Sequence, residues 1–227
     1  MDIWNEVCET DPSETKKVNQ RGGFTAIDPT YQAQKATEQF GPYGIGWGLG
    51  ESEFDYAMLD SVGLVIHKAV FFYLKDDVRG SFPITNAISI YSDKNKTRVD
   101  EDFAKKVETN TISKALSRLG FSADVFLGKF DDYNYVEVAK QKEFIKKSID
   151  QQEAYDEANR KFADWAKREI DAYDRIPKTG LGAGHRANLK KLNLKLTAVP
   201  GADPARWNQR FEDAYTNAMK KFETNEK

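Results

Sequence analysis

Three successive segments with the alternation of β-strands constrain the fold of this chain most strongly. The longest covers residues 62–75, where large apolar side chains recur at every second position. Residues 45–53 precede it, and residues 78–91 follow it after the tight Asp76-Asp77 connection. Consecutive strands joined by short connections pair antiparallel. The sequence therefore predicts a three-stranded antiparallel meander.

The two faces of the central predicted strand differ in polarity. Lys68 is an exception on the more apolar face, whose other members are Val62, Leu64, Ile66, Val70, Phe72 and Leu74. The opposite face includes Phe71 and Tyr73, for which core packing and stacking on a base both remain open. Pro83 predicts that the third strand lies at a sheet edge or contains a bulge, because proline cannot donate a ladder hydrogen bond.

The first predicted strand alternates large side chains with glycine. Trp47 stands between Ile45 and Leu49 on one face and is expected in the core. The opposite face has only glycines, at positions 46, 48 and 50. A bare glycine face lets another backbone or a ligand approach closely.

A helix predicted over residues 101–119, ending at Gly120, combines two stripes. The apolar stripe can pack on a sheet and consists of Val107, Ile112, Ala115, Leu116 and Leu119. The second stripe is a row of residues spaced four apart, namely Lys106, Asn110, Lys114 and Arg118. Taken alone, this pattern fits a solvated helix face as well as a surface that binds a polyanion.

The remaining segments predict an α+β protein with N-terminal helices and a helical C-terminal region. A short helix is expected within residues 3–20, an extended piece at 24–27, and a helix that begins at Asp28-Pro29 and ends at Gly41. A strand and turn are predicted at 123–136, one long helix at 138–173, a flexible linker near 176–184, and further helices at 185–196 and from Pro204. We assign residues 1–135 to a core domain and 136–227 to a helical region.

Charge is segregated along the chain although the net charge is only −2. Acidic residues exceed basic residues by 7 over residues 1–60, whereas basic residues exceed acidic ones by 3 over 61–120 and by 4 over 181–227. A chain of this kind can bind a polyanion at one surface while repelling it elsewhere.

No residue pattern favours an enzyme. A phosphate-binding loop ending in Lys-Ser or Lys-Thr is missing, and Gly180-Leu-Gly-Ala-Gly lacks the preceding strand of a dinucleotide motif. His67 and His185 are the only histidines, and the single cysteine, Cys8, excludes an internal disulfide. We therefore predict a non-catalytic protein without cofactor or metal. The absence of an apolar span and of a signal-peptide pattern predicts a cytoplasmic protein without membrane contact.

Three stretches resemble phage single-strand DNA annealing proteins of the Sak and Erf type. They are Gly-Gly-Phe-Thr-Ala-Ile from Gly22, the run from Ala36 containing Phe-Gly-Pro-Tyr-Gly-Ile-Gly-Trp, and Thr-Ile-Ser-Lys-Ala-Leu-Ser-Arg-Leu-Gly-Phe-Ser-Ala-Asp-Val-Phe from Thr111. These proteins look related to the eukaryotic annealing mediator of the Rad recombination group. The resemblance covers about residues 1–135 and does not extend to residues 136–227, which we treat as a helical appendage.

The resemblance implies an ATP-independent annealing protein for homologous recombination and DNA repair in a bacterial host. Such proteins form rings or helical arcs in which a β-β-β-α core lines a groove that holds single-stranded DNA by its phosphates, with the bases exposed for pairing. Lys114 is the strongest residue carried over. Together with the helix row and the central strand, the resemblance gives these candidate DNA-binding residues: Lys68, Tyr73, Lys75, Arg79, Lys94, Lys96, Arg98, Lys106, Lys114 and Arg118.

Two other functions stay open on the sequence. One is a passive protein that coats single strands and slows their pairing. The other is a protein-interaction scaffold without nucleic-acid function. For the annealing protein, the expected partners are single-stranded DNA, the annealed duplex intermediate and further copies of the chain, together with a host single-strand-binding protein or a phage exonuclease.

Overall fold

The computed structural model describes residues 2–19, 23–93, 95–199 and 201–224. The helices are α1 Asp2–Val7, α2 Pro29–Phe40, α3 Leu59–Val62, α4 Phe103–Arg118, α5 Ala123–Phe126, α6 Tyr133–Lys147, α7 Gln151–Ala172, α8 Lys178–Leu196 and α9 Pro204–Thr224. The strands are β1 Thr15–Val18, β2 Phe24–Ile27, β3 Trp47–Asp55, β4 Leu64–Lys75 and β5 Val78–Ser89.

The chain divides into two compact units. The first contains Met1–Thr10 and Glu14–Lys129, and the second contains Asp11–Ser13 and Phe130–Lys227. The division expected between residues 135 and 136 lies inside α6.

The first unit confirms the predicted α+β class and the antiparallel meander. Its sheet has the order β3-β4-β5, so Pro83 lies in an edge strand as predicted. The β4–β5 turn is made by Asp76 and Asp77, both with positive φ (50° and 63°), as a two-residue hairpin turn requires. The short hairpin formed by β1 and β2 adds a strand, β1, that the sequence did not indicate.

The core lies on the less apolar face of β4, which the sequence left open between core packing and base stacking. Val65, His67 and Phe71 are buried there, whereas Val70 and Leu74 on the opposite face are each 37% exposed. Lys68 explains the choice, because burial of its face would remove an ammonium group from water. The only polar side chain that β4 buries is His67, and it has a hydrogen-bond partner, Thr111.

Trp47 is buried, as predicted, and the bare glycine face has a visible use. A Cβ atom added at Gly46 would lie 1.7 Å from the carbonyl oxygen of Phe40, at the end of α2. Glycine therefore lets the start of the sheet and the backbone of α2 approach each other. The sequence predicted that a backbone or a ligand approaches this face closely. At Gly46 the approaching group is the backbone of α2.

Helix α4 occupies most of the predicted span 101–119 and buries Val107, Thr111, Ala115 and Leu116. Ile112 and Leu119 pack at the margin of the same core. Helix α2 also matches its prediction, since the Asp28 carboxylate accepts a hydrogen bond from the Thr30 N–H and Gly41 follows the last residue.

Two predictions between residues 123 and 173 were wrong. The strand and turn expected at 123–136 are instead α5, a 3₁₀ turn and the start of α6, where the Asp132 carboxylate accepts from the Asn134 N–H. The single long helix expected at 138–173 is two helices, because Ser148 is extended and Asp150 caps a new helix by accepting from the Glu153 N–H.

The flexible linker expected near 176–184 was also wrong, because α8 begins at Lys178. Leu181 and His185 are buried one helical turn apart and fix one face of α8. The glycines permit a close approach, since a Cβ added at Gly184 would lie 3.3 Å from Cδ1 of Ile176. Tertiary packing here outweighs the low helix propensity of glycine.

Candidate nucleic-acid interface

Lys114 and Arg118 extend from α4 to the edge of the sheet. Nζ of Lys114 donates to the carbonyl oxygen of Thr85 at 3.0 Å, and Nη1 of Arg118 donates to that of Pro83 at 3.2 Å. Both side chains belong to exposed residues, and both acceptors are neutral. The full positive charge of each side chain is therefore kept while its position is fixed.

The spacing of these two cations follows from the strand beneath them. Pro83 and Thr85 are two residues apart on β5, so their carbonyls are separated by about 7 Å along the strand. The Arg118 guanidinium also lies 5.9 Å from the centre of the Phe82 ring, a contact that favours a fixed orientation. Two cations held in a row along an extended strand can bind successive phosphates of a nucleic-acid strand.

Arg79 is a third cation near this edge and belongs to strand β5 itself. Its guanidinium lies over the ring of Phe72 at 4.6 Å, and no carboxylate among the described residues pairs with it. Arg79 is four residues before Pro83, about 13 Å along β5. We call Arg79, Lys114 and Arg118 the edge cations.

Two other predicted cations, Lys68 and Lys106, are paired with carboxylates. Lys106 donates to both oxygens of Asp100 at 2.7 and 2.8 Å, and this bond is the main cause that lowers the pKa of Asp100. Lys68 pairs with Asp55 at 2.7 Å and with Glu53 at 3.5 Å. These pairs neutralise much of the charge that the sequence assigned to DNA.

Lys75 is likewise engaged inside the protein. Its Nζ lies 3.4 Å from a carboxylate oxygen of Glu6 and donates to Oε1 of Gln39 at 3.1 Å. Lys75 lies at the end of the neighbouring strand β4, but its contacts with Glu6 and Gln39 distinguish it from the edge cations, which have no carboxylate partner among the described residues.

The loop after β5 holds its cations differently. Lys96 donates from Nζ to the carbonyl oxygen of Val62 at 2.9 Å, and the Arg98 side chain is exposed. Asp93 orders the loop by accepting from the backbone N–H groups of Thr97 and Arg98. Lys94 lies outside the described residues.

Tyr73 is turned toward the core. Its ring centre lies 5.2 Å from that of Phe40, and the ring covers Gly80 on the neighbouring strand. Tyr73 is a partly buried member of the core cluster. This placement disfavours Tyr73 as a stacking surface for a base.

The two edges of the sheet have opposite charge. Strand β3 bears Glu51, Glu53 and Asp55. Strand β5 contains Arg79, and its carbonyl oxygens accept hydrogen bonds from Lys114 and Arg118. A groove of about 490 Å³ between them contains Glu51 and Glu53 on one side and Pro83 and Thr85 on the other. Lys68 offsets part of the β3 charge by pairing with Glu53 and Asp55, whereas Glu51 has no ion pair among the described residues. A phosphate chain is therefore attracted to β5 rather than to β3.

Sequence reasoning missed the partners that divide the cations into paired and unpaired sets. It also missed the hydrogen bond between Nδ1 of His67 and Oγ1 of Thr111, at 2.9 Å, which joins the sheet to α4. A third missed feature is an apolar groove of about 630 Å³ beside α2 and α4, lined partly by Tyr43, Trp47 and Ile112. The sequence signal for this groove was Tyr43, a large aromatic residue directly after the Gly41-Pro42 helix stop.

Two features are absent from the described residues. These residues contain no helix long and apolar enough to cross a membrane. They also contain no cluster of three or more histidine, cysteine, aspartate or glutamate side chains arranged to hold a metal ion. Comparison of the chain with protein-family models and with curated proteins found no match.

Proposed function

We propose that this chain is an ATP-independent single-strand DNA annealing protein that works as a homo-oligomer in recombination. The observation that supports the proposal most directly is the placement of Lys114 and Arg118. Both keep their charge, both are fixed by β5 carbonyls, and Lys114 is the residue that the resemblance carries over most strongly.

The chemistry of annealing suits this arrangement. A protein that pairs complementary strands must hold phosphates while leaving the base edges free. The edge cations offer charge along one strand of the sheet, and the half-buried Tyr73 does not offer its ring to a base. Binding through phosphates is independent of base sequence and weakens with salt.

The proposed partners are single-stranded DNA, the annealed duplex and further copies of the chain, in the cytoplasm of a bacterial host. A host single-strand-binding protein and a phage exonuclease are further proposed partners. The segregated charge supports self-association, since the acidic residues of the segment 1–60 in one copy are complementary to a basic block of another.

The test compares two variants that remove the same charge. Lys114→Ala with Arg118→Ala removes two edge cations, whereas Lys68→Ala with Lys106→Ala removes two cations already paired with carboxylates. Binding of oligothymidine is measured across a salt series by fluorescence anisotropy, and annealing of complementary oligonucleotides is measured without ATP.

We expect the wild type to speed annealing. The edge variant should slow it and lower the slope of log affinity against log salt by about 1.4, since each phosphate contact with a single strand contributes about 0.7. The paired-cation variant should stay close to the wild type. Equal losses in both variants would show that only total charge matters. Binding with slowed pairing would instead identify a passive coat, and no binding at low salt would identify a scaffold.

A further inference from the structure

We propose that the groove between α6 and α7 in the second unit docks an acidic peptide that carries an apolar side chain. The groove has a volume of about 540 Å³ and is bounded at one end by α8. None of the edge cations lines this groove.

The floor of the groove is apolar, and the small alanine side chains there leave the groove deep. Ala154 and Ala158 of α7 pack with Ile145 of α6 to form a small buried cluster. Phe144 lies at the groove margin and is 58% exposed, which is unusual for so large an apolar side chain. An apolar side chain of a ligand could cover Phe144 and rest on the alanines.

The other end of the groove is cationic. Arg168 and Lys195 line it, and no carboxylate of the described residues forms an ion pair with either. Nζ of Lys195 lies 5.2 Å from the centre of the Trp165 ring. Burial is the main cause that lowers the pKa of Lys195, and Lys191 adds to the shift, whereas the nearby carboxylates of Glu137 and Glu169 oppose it without forming an ion pair. A carboxylate placed there would replace part of the lost hydration.

The middle of the groove distinguishes a peptide from a nucleic acid. Lys140 is paired with Glu137 at 2.9 Å, and Lys161 is paired with Glu157 at 2.6 Å. A continuous phosphate chain would meet these carboxylates along its path. A ligand with carboxylates at one end and an apolar group at the other matches the groove better.

The length of the groove sets the length of the ligand. From Ala154 to Arg168 is 14 residues of α7, or about 21 Å. An extended peptide of about six residues covers that distance. The predicted ligand is therefore a short acidic segment with an apolar residue near one end.

The experiment uses the full chain and a fluorescein-labelled peptide of about six residues, with glutamates at one end, serines in the middle, and leucine and phenylalanine at the other end. A second peptide has alanine in place of both apolar residues, and labelled oligothymidine is the nucleic-acid probe. The test variant is Arg168→Ala with Lys195→Met, which keeps an apolar stem beside Trp165. The matched control, Lys167→Ala with Lys220→Ala, removes two exposed lysines that do not line the groove.

We expect the groove variant to bind the peptide at least tenfold more weakly than the wild type, with the control unchanged. Phe144→Ala should weaken binding of the leucine-phenylalanine peptide and leave the alanine peptide unaffected. Equal loss in the groove and control variants would overturn the proposal, as would a groove variant that binds like the wild type. Loss of oligothymidine binding in the groove variant, without loss of peptide binding, would assign the groove to nucleic acid instead.

Discussion

The hydrogen bond between His67 and Thr111 offers a sharp test of how α4 is held on the sheet. The Thr111 hydroxyl donates to the Val107 carbonyl oxygen at 2.7 Å, so its oxygen must accept from Nδ1–H of His67, at 2.9 Å. Both residues are buried, with 0% and 2% of their surface exposed for Thr111 and His67. Thr111→Val removes the acceptor while keeping the branched shape.

The expected cost follows from this geometry. A buried donor left without a partner costs about 1–3 kcal/mol. The free energy of opening the first unit should fall by this amount, which corresponds to amide exchange faster by about fivefold to 150-fold. Hydrogen exchange of the β4 amides, followed by mass spectrometry, measures it within the first unit alone.

Thr109→Val is the matched control. Thr109 also donates to the carbonyl oxygen four residues earlier, that of Lys105 at 2.9 Å, but contacts no histidine. Its replacement should cost less than about 0.5 kcal/mol. If both variants exchange equally fast, the His67 bond does not stabilise the attachment of α4. In a His67→Phe background, Thr111→Val should cost no more than the control.

Two further predictions concern the same unit. Burial lowers the pKa of His67, with Glu108 opposing the shift, so the unfolded chain binds a proton before the folded one does. The stability of the first unit should therefore be complete above about pH 6.5 and fall as the pH drops from there toward the lower folded pKa. Hydrogen exchange over this pH range should show a loss of stability in the wild type and a smaller loss in His67→Gln. Equal pH dependence in the two proteins would refute the assignment of this loss to His67. Gly80→Ala should destabilise the first unit by about 1–3 kcal/mol, because the new Cβ would lie 2.4 Å from the Tyr73 ring. Gly50→Ala, whose Cβ would meet its nearest atom at 3.5 Å, is the control, and similar denaturation midpoints for the two variants would contradict the clash.

The elements with strong local signals could be predicted from the sequence. The alternation in β4, the Asp28 cap of α2 and the two stripes of α4 each act within a few residues, so the pattern alone indicates the element. Pro83 is a local signal as well: it cannot donate a ladder hydrogen bond, and its strand lies at the edge of the sheet.

The sequence left the buried face of β4 open, because Lys68 is a single signal against the larger number of apolar side chains on its face, and the outcome also depends on contacts between distant residues. Strand β4 has apolar side chains on both faces. The face with more of them, which includes Val70 and Leu74, is the more exposed one. Phe71 and His67 are buried because α2 and α4 supply their partners, Thr111 among them. The helix at 178–184 depends in the same way on Leu181 and Ile176, against the local preference of its glycines.

The candidate site was predicted in part. The row containing Lys114 and Arg118 is visible from spacing alone. Which cations are neutralised depends on Asp55 and Asp100, whose positions follow from the folded loops and strands. Charge counting along the chain cannot separate the two sets.

The contacts of Lys114 and Arg118 also protect the chain from unwanted association. An edge strand with open carbonyl groups is a template for strands of other chains, and such pairing leads to aggregation. On β5, two carbonyls are occupied by cations from α4, and Pro83 has no N–H to offer. The same two side chains thus restrict which molecules can approach the edge: a phosphate can compete for them, whereas a neutral strand meets carbonyls that are already bonded. The two side chains proposed to hold phosphate therefore also withhold two β5 carbonyls from a neighbouring strand.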